Sequence, residues 1–296
     1  MDQQVRSFDR FLCEVRGLAE ATRRYDRYHI RHFLEWRFGR GPLHYARLKP
    51  KEVAGYLHER AQVLQPSTVQ LWASSLRRFL RFLEMQGKSS PGLDKAILTP
   101  ATHGTGALPK TFTDQERHRL LRHGFNRRSD AGRRDYAMAL CQLELGLRAG
   151  EVAALRLENL DWSAGVVVIP QTKSRRERRL PLPAVVGRAV SAYVQKGRPH
   201  STAREVFLRH LHPVGAPLKS ETVRGAMREA YRRAGLARSW TGTHVLRRTF
   251  ATRLLRRGAG LKSIADLLGH QDLDTTTAYT RIDLAQLRHV ALPWPE

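Results

Sequence analysis

The chain has 296 residues, of which 41% are apolar, so it can bury two domain cores and is not a wholly disordered protein. Lys and Arg number 52 against 27 Asp and Glu, a formal net charge of +25 that makes a polyanion the natural partner. A merely solvated basic surface is the plainer reading, but the basic residues run through the whole chain with no long apolar run or amphipathic anchor, which favours nucleic acid and argues against a membrane.

Residues 1–87 predict four helices and a small helical domain. The first carries Phe8, Phe11, Leu12 and Val15 and stops near Gly17; the second, from about Ala21, carries Tyr25, Tyr28, His29, His32, Phe33 and Trp36. Pro50 suits the first turn of the third, with Val53, Tyr56, Leu57 and Leu64 as its apolar set. Ser67 is expected to cap the fourth, along which Val69, Trp72, Leu76, Phe79, Leu80 and Leu83 recur at helical steps. That period assigns the aromatics to a core rather than to base stacking. Arg23, Arg24, Arg27, Arg77, Arg78 and Arg81 read as solvated faces. Cys13 and Cys141 each sit in an apolar helical pattern and read as buried thiols, and residues 1–11 lack the apolar stretch of a signal peptide, so a reducing, cytoplasmic compartment is expected.

Residues 88–111 are rich in Gly, Pro, Ser and Thr and read as an interdomain linker, which would let two domains close around a duplex as a C-shaped clamp. The second domain, 112–296, opens on a capping box, Thr113 to Glu116. A helix from about Asp135 to Leu147 leads into Gly146-Leu147-Arg148-Ala149-Gly150-Glu151, a tight turn that would hold the Arg148 guanidinium against a core. The next helix runs through Val152, Leu155 and Leu157 and ends before Asp161. Val166–Ile169 and Arg179–Leu182 predict a β-hairpin whose connection, Gln171 to Arg178, carries Lys173. Helices follow near Ala184–Gln195 and Ser220–Gly235. Thr243 to Arg281 then places His244 and Arg247 on one helix face, followed by Gly269-His270 and Tyr279. The fold class is mainly α with a small antiparallel sheet.

Each of these residues has an ordinary reading on its own. Arg148 could pair with Glu151 one helical turn away, Lys173 could be an exposed loop cation, His244 a helix cap and Tyr279 a packed aromatic. The set and its order carry more. Gly146-Leu147-Arg148-Ala149-Gly150-Glu151, Thr172-Lys173 through Leu182, His244-Val245-Leu246-Arg247, and Leu268-Gly269-His270 with Thr275, Thr276 and Tyr279 resemble the four motif blocks of the tyrosine recombinases, the family of phage integrases and Xer-type resolvases. The resemblance is strong over residues 113–290; residues 1–87 resemble the family's helical core-binding domain only in pattern and position.

The resemblance implies DNA strand cleavage and rejoining through a 3′-phosphotyrosyl link, without metal, ATP or any cofactor. It makes Tyr279 the nucleophile, Arg148 and Arg247 the phosphate clamp, His244 a base or proton relay, His270 a phosphate donor, Lys173 the general acid and Glu151 an orienting carboxylate. Elementary chemistry agrees. Guanidiniums bind nonbridging oxygens bidentately at any accessible pH, a phenol with a pKa of about 10 needs help to attack, and the departing 5′-oxygen needs a proton. Double-stranded DNA is the implied partner. Asp283 to Val290 resembles a tail that packs on a neighbouring subunit of a homo-tetramer, or of a hetero-tetramer with a paralogue. Two departures stand out: Gly150 where many relatives have Ser or Pro, and Thr280-Arg281 after the tyrosine.

Other classes compete. Residues 247–279 can be read as the helix-turn-helix of a non-catalytic DNA-binding regulator, and a type IB topoisomerase shares the chemistry. The short chain and the Leu-Gly-His block favour a recombinase. A metal-dependent nuclease or transposase is disfavoured, because no compact Asp/Glu/His cluster has ligand spacing.

Overall fold

The structure is a computed structural model that describes residues 1–98, 110–170, 177–237, 239–240 and 242–269. The chain divides into two compact units, Met1–Ala107 and Leu108–Glu296.

The first unit contains α1 (Asp2–Glu14), α2 (Glu20–Phe38), α3 (Pro50–Val63) and α4 (Pro66–Met85). Phe8, Leu12, Ile30, Phe33, Tyr56, Leu76, Phe79 and Leu80 fill its core, with Phe8 edge-on to Phe79 at 5.2 Å between ring centroids. Pro50 begins α3 as expected, but α4 starts at Pro66 behind Gln65, so Ser67 lies inside the first turn and does not cap it. The aromatic assignment needs correction on α2. Its buried stripe is Asp26, His29, Ile30, Phe33 and Leu34, whereas Tyr25, Tyr28 and Trp36 lie on a neighbouring row and are 56%, 60% and 37% exposed. Cys13 is also exposed, one step of about 100° round the helix from buried Leu12, while Cys141 is buried as expected. The stretch read as linker begins with residues that pack here: a 3-10 turn, Leu93–Ala96, buries Leu93 and Ile97 in this core, with Arg81 paired to Asp94 at 2.7 Å.

The second unit contains α5 (Asp114–His123), α6 (Asp130–Glu144), α7 (Ala149–Ala153), β1 (Leu160–Asp161), β2 (Val166–Ile169), β3 (Arg178–Pro181), α8 (Ala184–Lys196), α9 (Ser220–Arg233), α10 (His244–Arg256) and α11 (Leu261–Leu268). The strands form an antiparallel sheet in the order β1-β2-β3, with Val167 opposite Leu180 and Ile169 opposite Arg178. The capping box forms as read: Thr113 Oγ1 accepts from Glu116 N–H, and Glu116 Oε2 accepts from Thr113 N–H. Helix α6 starts at Asp130, five residues ahead of the expected start, because Ser129 caps it by accepting from Gly132 N–H. Helix α7 is shorter than expected and ends at Ala153. Leu155 and Leu157 pair instead with Val206 and Arg204 through backbone bonds of 2.7 and 2.9 Å. Helix α6 is the hub of the core, with buried residues on every side from Ala137 to Leu143. A smaller cluster, Ala251, Leu255, Ile264 and Leu268, fixes α11 to α10.

Candidate active site

The site grows from the turn between α6 and α7. Gly146 has φ +65°, and a Cβ there would lie 2.5 Å from the Phe250 ring, so only glycine allows this turn to pack against α10. The turn delivers Arg148 to the start of α7. There Glu151 accepts from the Arg148 backbone N–H at 2.8 Å and from its Nη1 at 2.9 Å. Helix α10 brings Arg247 from the other side: its Nη1 donates to Gly146 O at 2.5 Å and lies 3.8 Å from Glu151 Oε2. Arg148 and Arg247, about a hundred residues apart in the chain, thus meet at one carboxylate.

The C-terminal end of α11 closes the cluster. Arg247 Nη2 donates to Leu268 O, and Arg148 donates to Leu268 O at 3.3 Å and to Gly269 O at 3.1 Å. These carbonyls are the negative end of a helix, where cations are stabilised. A third guanidinium, Arg178 on β3, donates to Glu151 Oε1 at 2.6 Å and to Leu267 O at 2.7 Å. Three guanidiniums therefore surround one carboxylate, a formal +2 for these four side chains. Burial would raise the Glu151 carboxyl, but the Arg148 N–H and the charges of Arg178, Arg148 and Arg247 outweigh it and hold the group below the usual carboxylate range.

His244 is the first residue of α10 and opens to solvent beside this cluster. Partial desolvation of the imidazole, followed by the positive charges of Arg248, Arg247, Arg224 and Arg148, lowers its pKa below 6.5, so the neutral ring prevails at pH 7. A neutral imidazole can accept a proton, and a guanidinium at neutral pH cannot.

The described residues thus bring together Arg148, Glu151, His244 and Arg247. Lys173, His270 and Tyr279, together with the tail from Asp283, lie outside the described residues. Gly269, the last one described in this region, ends α11 in the left-handed conformation, φ +61°. Arg178 was missed by sequence reasoning, although a signal existed. Position 178 shares a strand face with core residue Leu180, and a charge facing inward calls for a buried partner. Among the described residues, Glu151 accepts from Arg148 and Arg178 and lies 3.8 Å from Arg247 Nη1. No group of three or more His, Cys, Asp or Glu among the described residues could hold a metal ion. No helix among the described residues is long and apolar enough to cross a membrane.

Comparison with known proteins supplies the family. A family model described as the Phage integrase family matches residues 110–286, and a model of its N-terminal SAM-like domain matches residues 5–87. The protein y4rA of Sinorhizobium fredii, which carries a provisional integrase/recombinase name, is 34% identical over 295 residues, covering 100% of this chain and 71% of its own. The tyrosine recombinase XerC of Lactobacillus delbrueckii subsp. bulgaricus is 30% identical over 237 residues, 78% of each chain. The fold is shared with the XerH site-specific recombinase, solved in a post-cleavage complex with palindromic difH substrate: TM-score 0.72 at 17% identity, covering 99% of this chain and 85% of that one. This chain belongs to the phage integrase family, and its enzyme class is the tyrosine recombinases, which cleave and rejoin DNA strands.

Proposed function

We propose that this chain recombines double-stranded DNA at specific sites, with Tyr279 as nucleophile and Arg148, Lys173, His244, Arg247 and His270 as its catalytic set, supported by Glu151. The observation that carries this reading is the convergence of Arg148 and Arg247 on Glu151 and on Leu268 O, two residues before His270. Attack by the Tyr279 oxygen on phosphorus forms the 3′-phosphotyrosyl bond and breaks the bond to the 5′-oxygen, which takes a proton from Lys173. His244, neutral at pH 7, takes the phenol proton. The two guanidiniums bind the nonbridging oxygens, whose charge grows in the transition state. A 5′-hydroxyl from another strand reverses the step, so exchange needs neither ATP nor a metal.

Four copies of this chain, or copies mixed with a paralogue, would assemble on paired sites. A cavity of about 280 Å³, lined by Leu145, Leu180, Phe250, Leu254 and Leu267 and also by Glu144, Arg253 and Arg257, supports docking of the tail of a neighbouring copy, whose Leu284, Leu287 and Val290 recur at helical spacing. A protein acting on chromosomal or mobile DNA in this way works in the cytoplasm. The regulator reading is weaker, because it gives no use to Arg148 and Glu151, which meet Arg247 from outside the supposed helix-turn-helix.

The test is covalency. A nicked site, from which the cut strand end diffuses away, traps a denaturant-resistant protein–DNA adduct. Tyr279→Phe abolishes the adduct and keeps DNA binding. An adduct formed by Tyr279→Phe refutes the assignment.

A further inference from the structure

Arg178 has no role in the scheme above, yet its side chain bonds both Glu151 and the end of α11. Its side chain is 8% exposed, and each of its Nη atoms donates to a protein acceptor. Its Nη2 shares Glu151 Oε1 with Arg148 Nη1, at 2.6 and 2.9 Å. Its Nη1 holds Leu267 O at 2.7 Å, one residue before the carbonyl that Arg148 and Arg247 share. The guanidinium also lies flush against the left-handed turn that ends α11, where a Cβ on Gly269 would come 3.0 Å from Arg178 Nε and 3.1 Å from its Cδ and Cζ. At its backbone, Arg178 pairs with Ile169 at the loop end of the β2–β3 hairpin, next in sequence to the connection that carries Lys173.

These contacts have a physical consequence. A carboxylate as enclosed as Glu151 holds one orientation only if its oxygens are saturated by donors, and a donor fixed in a strand is a firmer anchor than the partly exposed Arg148. We propose that Arg178 is a positioning residue of the cleavage reaction. It fixes Glu151 and the last carbonyls of α11 in one frame, so that Arg148 and Arg247 present their guanidiniums to the scissile phosphate in register. The proposal rests on Arg148 and Arg247 being the phosphate clamp.

The experiment is single-turnover cleavage of a nicked site by the full chain, with DNA affinity measured in parallel, for wild type, Arg178→Met, Arg178→Lys, Arg148→Ala, Glu151→Gln and the Arg178→Met/Glu151→Gln pair. Arg178→Met is expected to lower the rate at saturating DNA about 10- to 100-fold with affinity within about threefold. Arg178→Lys, which keeps the charge and one donor direction, recovers part of the loss. The double variant is barely slower than Glu151→Gln, because both changes break one network. A sulfur leaving group at the scissile 5′ position, which needs no proton, does not rescue Arg178→Met. Normal cleavage by folded Arg178→Met, additive losses in the double variant, or rescue by the sulfur leaving group overturns the proposal. Should Arg178→Met fail to fold, Arg178→Lys carries the same comparisons. Arg148→Ala separates the two levels: loss there beside a normal Arg178→Met overturns this role alone, and normal cleavage by both overturns the clamp.

Discussion

Asp26 and Glu151 are both buried carboxylates held by arginine, one in each unit, but their surroundings differ in charge. Asp26, 1% exposed, accepts from Ser75 Oγ at 2.6 Å and from both arms of Arg78, and Ser75 is in turn bonded to His29 Nδ1 at 2.8 Å. Burial, with Arg78 and His32 acting in the same direction and Asp26 against it, pushes His29 down to about 4, so it is neutral at pH 7. One carboxylate meets one guanidinium and the network closes on itself. Glu151 meets three guanidiniums, and two of them belong to the proposed clamp. A balanced pair is what two helices need to cross; a surplus of fixed cations is what an anionic substrate needs. Surplus charge held rigidly costs stability and gains strength when a phosphate arrives.

The largest effect that would break this comparison is removal of one clamp arm. Arg148→Ala or Arg247→Ala should slow adduct formation on a nicked site about 10²- to 10³-fold, the usual loss on removing one preorganised charge donor. No equivalent loss should follow Arg78→Ala in protein that remains folded. Next comes the exchange of each carboxylate for its amide. Glu151→Gln should lower the cleavage rate about 10- to 100-fold at saturating DNA. Asp26→Asn should leave the rate of folded protein within about threefold and cost about 1–3 kcal/mol in denaturant unfolding, as expected for a broken buried bond. Equal kinetic losses from the two amides would erase the distinction. Because the Glu151 carboxyl is held below 4.5 in the folded chain, its share of stability is complete above that pH and is lost as pH falls through the depressed value.

The smallest effect is a pH profile. At subsaturating DNA the rate reports the free protein, so with His244 held below 6.5 the wild type should keep more than half of its plateau rate at pH 6.5. His244→Gln should remove this acid limb while slowing the reaction. An acid limb centred above 6.5 would contradict the depressed imidazole.

Much of this was readable in the chain because local rules agree with the fold. Val166–Ile169 forms β2 over the residues its β-branched run marks, Thr113 and Glu116 form the box they spell, and His244 and Arg247 share α10 with the predicted spacing. What was not readable depends on distant partners. Helix α7 ends early because Leu155 and Leu157 find strand-like partners some fifty residues downstream, at Val206 and Arg204. Leu93 and Ile97 are buried by a core that lies entirely before them in sequence, so their Gly- and Pro-rich setting read as linker. Tyr25 and Tyr28 were assigned to a core because two adjacent helical rows were merged into one. Arg178 looked like one of several hairpin arginines until pairing with Ile169 turned it toward Glu151.

The most direct test of the surplus-charge account is to neutralise the substrate instead of the protein. Replacing one nonbridging oxygen of the scissile phosphate by a methyl group removes the charge that the clamp is proposed to meet. The account predicts that the roughly 10²- to 10³-fold advantage of wild type over Arg148→Ala collapses to within about tenfold on this uncharged site. An advantage that stays the same on charged and uncharged sites would show that Arg148 does not act on phosphate charge.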